Sequence, residues 1–263
     1  MIGKVLSVAG SDPSGGAGIQ ADIKTVTVLG CYAMTAITAL TVQNTCGVTG
    51  VTEIPPDLIA AQIDAVCSDI MPDAVKIGMV CNAESVCVIA ERLRHYRAER
   101  IVIDPVMVST SGHRLLHEDD VQALCTALFP LAEVITPNLP EASALLGRPV
   151  NTAEEQEAAA RELSARYGTA VLVKGGHLDG NALDVLCADG MIQCFASERV
   201  MTGNTHGTGC TLSSAIAAYL AKGMPLPESV AAAKAYLTGA LQAGLDIGAG
   251  NGPLLHNYPF ISL

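Results

Sequence analysis

Short apolar, β-leaning runs alternate with stretches of helical period along the chain, and this alternation limits the possible folds more than any single motif. The β-leaning runs fall at residues 4–9, 32–42, 74–79, 101–103, 134–136 and 170–173. Between them apolar residues recur at helical spacing: Ile19, Ile23 and Val26; then Ile59, Ile63, Val66 and Ile70; then Val86, Ile89 and Leu93. Such spacing puts each set on one face of a helix. Further helices are expected over 118–128, from Pro140 to a stop at Gly147, over about 152–167, from the segment after Gly207 to a stop at Gly223, and over about 227–245. Asn82 is placed to cap the helix that ends near Tyr96, and Thr152 with Glu155 has capping-box spacing. Residues 183–188 and 191–196 flank Asp189-Gly190 and read as a hairpin, because Asp-Gly suits a tight turn. No linker, repeat or low-complexity block interrupts the pattern. It predicts one α/β domain over residues 1–263, a central, mostly parallel sheet with helices on both faces.

Composition narrows the function. Hydrophobic residues make up 50% of the 263 positions and charged residues 16%, as in a compact chain with a sizeable core. Aromatics are 3% with no tryptophan, so Ala, Val, Leu and Ile must build that core. A formal net charge of −11 argues against a broad nucleic-acid or anionic-membrane surface, while leaving room for one local positive pocket for a nucleotide. No apolar stretch reaches membrane-spanning length, and residues 1–10 read as the start of a strand rather than a signal peptide. Nine cysteines, odd in number and scattered through apolar segments, suit reduced, buried thiols in a cytoplasmic protein. Cys81 and Cys87 are too far apart for the common zinc motif.

Two glycine-rich stretches carry the candidate chemistry. The first is Thr202-Gly203-Asn204-Thr205-His206-Gly207-Thr208-Gly209-Cys210, which passes directly into a helical run. Glycines let backbone N–H groups approach a ligand, and a helix start adds unpaired N–H groups and a positive dipole end. Gly207, Thr208, Gly209 and Cys210 therefore form a candidate anion hole; the alternative is an ordinary loop and cap with an inert cysteine. An exposed thiol at that helix start is expected to favour its thiolate. The second stretch, Gly10-Ser11-Asp12-Pro13-Ser14-Gly15-Gly16-Ala17-Gly18, lies between a strand and a helix. It lacks the Gly-x-Gly-x-x-Gly order, so a tight βα connection is its alternative reading. Polar residues at the carboxyl ends of strands line the crevice of open α/β sheets. Gln43, Asp104, Glu141 and Lys174 hold such positions. Gln43 suits an amide-like edge, the acid Asp104 with Glu141 as a second strand-end acid a metal or bound water, and Lys174 a phosphate, against the alternatives of turn, cap and surface charge. His177 reads as a loop histidine, because no partner histidine lies near it.

Taken together these segments are more specific than any one of them. Residues 9–22, Gln43-Asn44-Thr45, Lys76-Ile77-Gly78-Met79, Thr136-Pro137-Asn138-Leu139-Pro140-Glu141, Lys174-Gly175-Gly176-His177 and Thr205-His206-Gly207-Thr208-Gly209-Cys210 are similar, in the same order, to the bacterial hydroxymethylpyrimidine/phosphomethylpyrimidine kinases of thiamine biosynthesis. The resemblance spans nearly the whole chain and is weakest in the tail. It implies a ribokinase-like domain that uses ATP and Mg²⁺ to phosphorylate 4-amino-5-hydroxymethyl-2-methylpyrimidine, then its monophosphate. By position it implies Gln43 on the aminopyrimidine, with Gly10, Ala17, Met79 and Val106 around the ring. It implies Asp104 and Glu141 on Mg²⁺ through water, Lys174 and Thr208 on the ATP phosphates, and Gly207 with Gly209 in the anion hole. Cys210 stands where sugar kinases of this fold place an aspartate base, so it either accepts the substrate hydroxyl proton or has a mainly spatial role. A homodimer is also implied.

The nearest rival is a pyridoxal/pyridoxine kinase, which shares the glycine-rich start and the Gly-Cys pair. Gln43 favours the aminopyrimidine. A non-catalytic ligand sensor on this fold has no need to keep Asp104, Glu141, Lys174 and Cys210 together. A thiol-redox regulator lacks a Cys-x-x-Cys pair to support it.

Overall fold

Nine strands form a single sheet in a computed structural model that describes residues 2–107, 118–176 and 182–261. His177 lies outside the described residues. The strands are β1 (Lys4–Ser11), β2 (Tyr32–Asn44), β3 (Gly47–Glu53), β4 (Ala74–Ile77), β5 (Ile101–Ile103), β6 (Val134–Ile135), β7 (Ala170–Lys174), β8 (Ala182–Ala188) and β9 (Met191–Ser197). Their order is β3-β2-β1-β4-β5-β6-β7-β8-β9. β2, β1, β4, β5, β6 and β7 pair in parallel, and antiparallel strands close both edges. The expected mostly parallel α/β sheet is therefore present.

Helices cover both faces, as a parallel sheet requires. α2 (Pro56–Cys67), α3 (Ala83–His95), α4 (Glu118–Ala123), α5 (Leu139–Leu146) and α6 (Ala153–Tyr167) bury Ile59, Ile63, Val86, Ile89, Leu93 and Leu163 on one side. α1 (Gly18–Val28), α7 (Thr208–Ala221) and α8 (Leu226–Gln242) bury Val26, Leu212, Ile216 and Val230 on the other. Each fully buried Leu, Ile or Val contributes about 1.5–3 kcal/mol relative to exposure. The caps read from sequence are formed: Asn82 accepts from Ser85 N at 2.8 Å, and Thr152 and Glu155 complete a capping box. The Asp189-Gly190 hairpin joins β8 to β9.

Some expectations need correction. Strand β2 does not stop at Val42 but runs to Asn44, then folds back as β3, so Gln43 pairs with Val48 within a hairpin rather than ending a strand. β3 was not expected, because two glycines and a mostly exposed alternation resemble a loop. Ile23 is 39% exposed; the small polar Thr25 and the acid Asp22 occupy the buried side of α1 instead. The helix over 118–128 is regular only to Ala123, then widens over Leu124–Leu128 and tightens over Phe129–Leu131. The cysteines are free but not uniformly buried: Cys46, Cys87 and Cys194 are exposed. No helix among the described residues is long and apolar enough to cross a membrane.

Candidate active site

The strand order reverses between β1 and β4, which opens a crevice outside the carboxyl ends of the sheet. The starts of α1 and α7 meet there. Gly207, the residue before α7, has φ 83°, and a Cβ on it would lie 1.8 Å from the Gly16 oxygen. Only glycine fits both demands, so the two glycine-rich stretches interlock. The backbone N–H of Gly18 faces the Cys210 sulfur. α7 is 14 residues long and no side chain caps its start, so that end carries the positive end of a helix dipole.

The charged residues converge on this helix start. Lys174 Nζ lies 2.7 Å from Asp104 Oδ1, and both side chains are largely buried. Thr136 Oγ1 donates to the same oxygen at 3.2 Å. A Cβ on Gly209 would sit 3.1 Å from Asp104 Oδ2 and 3.4 Å from Lys174 Nζ, so the pair stands directly against the glycine-lined start of α7. Burial disfavours the Lys174 ammonium, but Asp104 and Glu141 outweigh it and its pKa is raised. Glu141 is buried, and that burial, reinforced by Asp104, pushes its carboxyl up to about 7 against the pull of Lys174. Glu141 also caps α5: Asn138 N donates to its Oε2 at 2.8 Å, and Asn138 Oδ1 accepts from its N–H.

Cys210, the third residue of α7, is half-buried. Burial pushes its thiol up to about 11, with Asp22 and Asp104 adding to the rise and Lys76 and the Gly18 N–H opposing it. The thiolate was expected for an exposed thiol; Cys210 is not exposed, and desolvation outweighs the helix start and favours the protonated thiol.

On the other side of the crevice, a Cβ on Gly10 would lie 3.1 Å from Met79 Sδ, and Ala17 N donates to Asp12 at 2.8 Å. Val106 is half-buried two residues beyond Asp104, whose carbonyl accepts from its N–H. Thr208 opens α7. Gln43 is half-buried beside His206, with Nε2 3.4 Å from His206 Nε2. The contact of Gln43 with His206 joins the β2–β3 hairpin to the loop before α7. Sequence reasoning singled out neither Asp12 nor His206, yet Asp12 Oδ2 lies 2.8 Å from His206 Nε2. Asp-Pro-Ser-Gly-Gly is an Asx-turn signal that points to Asp12.

A second overlooked group lies beneath the site. Lys76 and Asp22 form a fully buried ion pair at 2.8 Å. Ser7 Oγ and Ser214 Oγ donate to the two Asp22 oxygens at 2.5 and 2.6 Å. Burial works against the Lys76 charge, but Asp22 outweighs it and its pKa is raised. Four elements, β1, α1, β4 and α7, are thereby tied together below Cys210. The signal was a lysine inside the apolar strand Ala74-Val75-Lys76-Ile77.

An ammonium, two carboxylates and a helix start around one crevice can position and stabilise a transferring phosphoryl group. The comparisons agree with this chemistry. The family model described as phosphomethylpyrimidine kinase matches residues 12–255. The hydroxymethylpyrimidine/phosphomethylpyrimidine kinase of Rhizobium meliloti is 52% identical over 255 residues, covering 95% of this chain and 96% of that protein. The thiamine biosynthesis bifunctional protein ThiED of Geobacter sulfurreducens is 49% identical over 97% of this chain, which spans 52% of that longer protein. Among solved structures, an ADP complex of Bacillus subtilis pyridoxal kinase is similar over 100% of both chains, with a TM-score of 0.92 and 38% identity.

Proposed function

The chain belongs to the phosphomethylpyrimidine kinase family, and on that premise we propose that it phosphorylates 4-amino-5-hydroxymethyl-2-methylpyrimidine with ATP and then phosphorylates the monophosphate to the diphosphate, in thiamine biosynthesis. The observation that carries the reading is the Asp104–Lys174 pair set against the glycine-lined start of α7.

The residues divide the work as follows. Gln43 takes the aminopyrimidine edge, and Gly10, Ala17, Met79 and Val106 surround the ring. Lys174, Thr208 and the N–H groups of Gly207 and Gly209 hold the phosphates, so the negative charge that spreads in transfer meets donors already in place. The substrate hydroxyl lies near Cys210. Because that thiol is protonated at rest, its role is chiefly spatial, and transfer relies on alignment rather than on a strong base. Asp104 and Glu141 fit Mg²⁺, a hard cation that accepts one or two carboxylates and keeps its waters. Among the described residues no closed cluster of three or more metal ligands competes with this open arrangement. Bound there, Mg²⁺ would neutralise phosphate charge.

Exposed Leu40 and Val42, which share one face of the β2–β3 hairpin, supply an apolar surface for a second copy, in line with a homodimer that light scattering would detect. The free thiols suit a cytoplasmic setting. The likeness to a pyridoxal kinase makes pyridoxal the second acceptor to measure.

A coupled assay of ATP consumption with the free pyrimidine tests the reading. Turnover is expected, lost on chelation, restored by Mg²⁺, and reduced at least about tenfold by Gln43→Ala, the cost of one lost hydrogen-bonding pair. Undiminished turnover in Gln43→Ala would remove Gln43 from the substrate site.

A further inference from the structure

Strand β2 carries an extra residue beside the site. Ala9 pairs with Ile37 and Ser11 with Leu40, so Thr38 and Ala39 together stand opposite Gly10. Such a bulge breaks the alternation of a strand and re-aims a side chain. Here Met34, Ala36 and Thr38 are buried in turn, Ala39 is buried next to them, and Leu40 is exposed. The bulge is held from its outer side. Past the end of β3, Gln62 of α2 completes the ladder: its Oε1 accepts from Ile37 N at 2.9 Å, and its Nε2 donates to the Ile37 oxygen at 3.1 Å. Ile54 N donates to the Thr38 oxygen at 3.0 Å.

Held in this way, Thr38 reaches the segment that follows β4. Its Oγ1 lies 2.6 Å from the carbonyl oxygen of Met79. A carbonyl only accepts, so the hydroxyl is the donor and its single proton is committed to this bond. Thr38 is fully buried, which leaves no water to compete for that proton. One residue earlier, Gly78 N still bonds the Val8 oxygen at 2.9 Å, so the chain is tied at both residues as it leaves the sheet. The Met79 side chain then lies against Gly10, where a Cβ would sit 3.1 Å from Met79 Sδ and 3.8 Å from the Ala39 oxygen. Strand β1 runs between β2 and β4, and its Gly10 has no side chain to fill that space.

We infer that Thr38 is a positioning residue for the substrate ring: its hydroxyl fixes the Met79 backbone and so holds the Met79 side chain over Gly10 as a ready-made wall of the ring site. The inference rests on the reading that Met79 and Gly10 surround the pyrimidine. Methionine is unbranched and turns about three bonds, so a wall made from it must be ordered by something else. A wall ordered before binding spares the ligand the cost of immobilising it.

The test is steady-state kinetics of Thr38→Val, Thr38→Ser, Met79→Ala and the Thr38→Val/Met79→Ala double variant, with thermal unfolding of each. Thr38→Val keeps the branched shape and removes the donor. It should raise KM for the free pyrimidine about five- to tenfold, the upper figure being the size of one lost hydrogen bond. Its kcat and its KM for ATP should stay within about twofold, because ring contacts made equally in the ground and transition states act on KM alone. Thr38→Ser, which keeps the hydroxyl, should recover most of the loss. In the Met79→Ala background Thr38→Val should add no more than about twofold, since the side chain it positions is gone. A joint rise of all constants, no recovery in Thr38→Ser, or an undiminished effect in the Met79→Ala background would give Thr38 a merely structural role and overturn the inference. If Met79→Ala leaves the pyrimidine KM unchanged, the reading of Met79 fails and the inference with it. If Met79→Ala raises that KM while a folded Thr38→Val does not, only the inference about Thr38 fails. Should Thr38→Val not fold, Thr38→Ala against Thr38→Ser decides by the same criteria.

Discussion

Gly209→Ala separates stability from catalysis at a single position. Gly209 lies inside the first turn of α7, where alanine is the better helix former by about 0.8–1 kcal/mol. For a chain of this length about 1 kcal/mol moves Tm by about 2 °C, so propensity alone predicts a slightly more stable protein. The added methyl, however, would stand 3.1 Å from Asp104 Oδ2 and 3.4 Å from Lys174 Nζ. These atoms must give by a few tenths of an ångström. Asp104 cannot yield freely, since Lys174 holds its other oxygen at 2.7 Å, Thr136 bonds it at 3.2 Å, and the backbone leaves β5 one residue earlier. The methyl also narrows the space in front of the start of α7. Because misplacement of about 1 Å at a reacting centre can cost about 100-fold in rate, a smaller displacement predicts about a 10- to 100-fold loss in kcat. Thermal unfolding and the coupled kinase assay on the same sample check this. Tm should change by no more than about 2 °C in either direction while kcat falls. Wild-type kcat in a folded Gly209→Ala protein would refute the placement of the Asp104–Lys174 pair against the phosphates.

Other substitutions test other parts of the account. Asp22→Ala leaves Lys76 charged and buried without its partner, so chemical denaturation should show a loss of about 3–5 kcal/mol; Asp22→Leu with Lys76→Met should recover much of it. Cys210→Ser should keep kcat within about tenfold, because alignment carries most of phosphoryl transfer; a loss beyond about 100-fold would restore the base role. His256 is buried, and that burial, with Lys24 nearby, lowers its pKa from 6.5 to about 4. A neutral base in the fold contributes stability that is full above pH 6.5 and is lost progressively as pH falls from there through about 4. The unfolded chain takes the proton first, so wild type should lose up to about 3 kcal/mol across that window relative to His256→Gln. Parallel stability curves for the two proteins would place His256 in a solvated site.

The fold was legible wherever the information was local. The stripes of Ile59 and Ile63, or Val86, Ile89 and Leu93, are amphipathic periodicities, and Asn82 and Thr152 announce their helices by cap chemistry. β3 was not legible, because an exposed edge hairpin carries no strong apolar alternation. At the candidate site, strand-end positions pointed to Asp104 and Lys174, and the glycine pattern pointed to the start of α7 against which they stand. The Asp12–His206 contact spans 194 residues and has no local trace. Lys76 and Asp22 were visible as charges in apolar settings, but their pairing needs the packing of α1 on the sheet. Cys210 shows the same limit: its position follows from sequence, whereas its protonation depends on burial that only the assembled fold supplies. Glu141 was placed as a strand-end acid, and the Asn138-x-x-Glu141 spacing that also makes it a cap was present but unread.

On the proposed function, this crevice carries out the second phosphorylation of the pyrimidine as well as the first. The direct measurement is mass-spectrometric identification of the products formed from ATP, Mg²⁺ and the pyrimidine monophosphate, beside parallel reactions with the free pyrimidine and pyridoxal. The diphosphate is expected from the monophosphate, and in two steps from the free pyrimidine. Pyridoxal phosphate as the single product, with both pyrimidines returned unchanged, would contradict it.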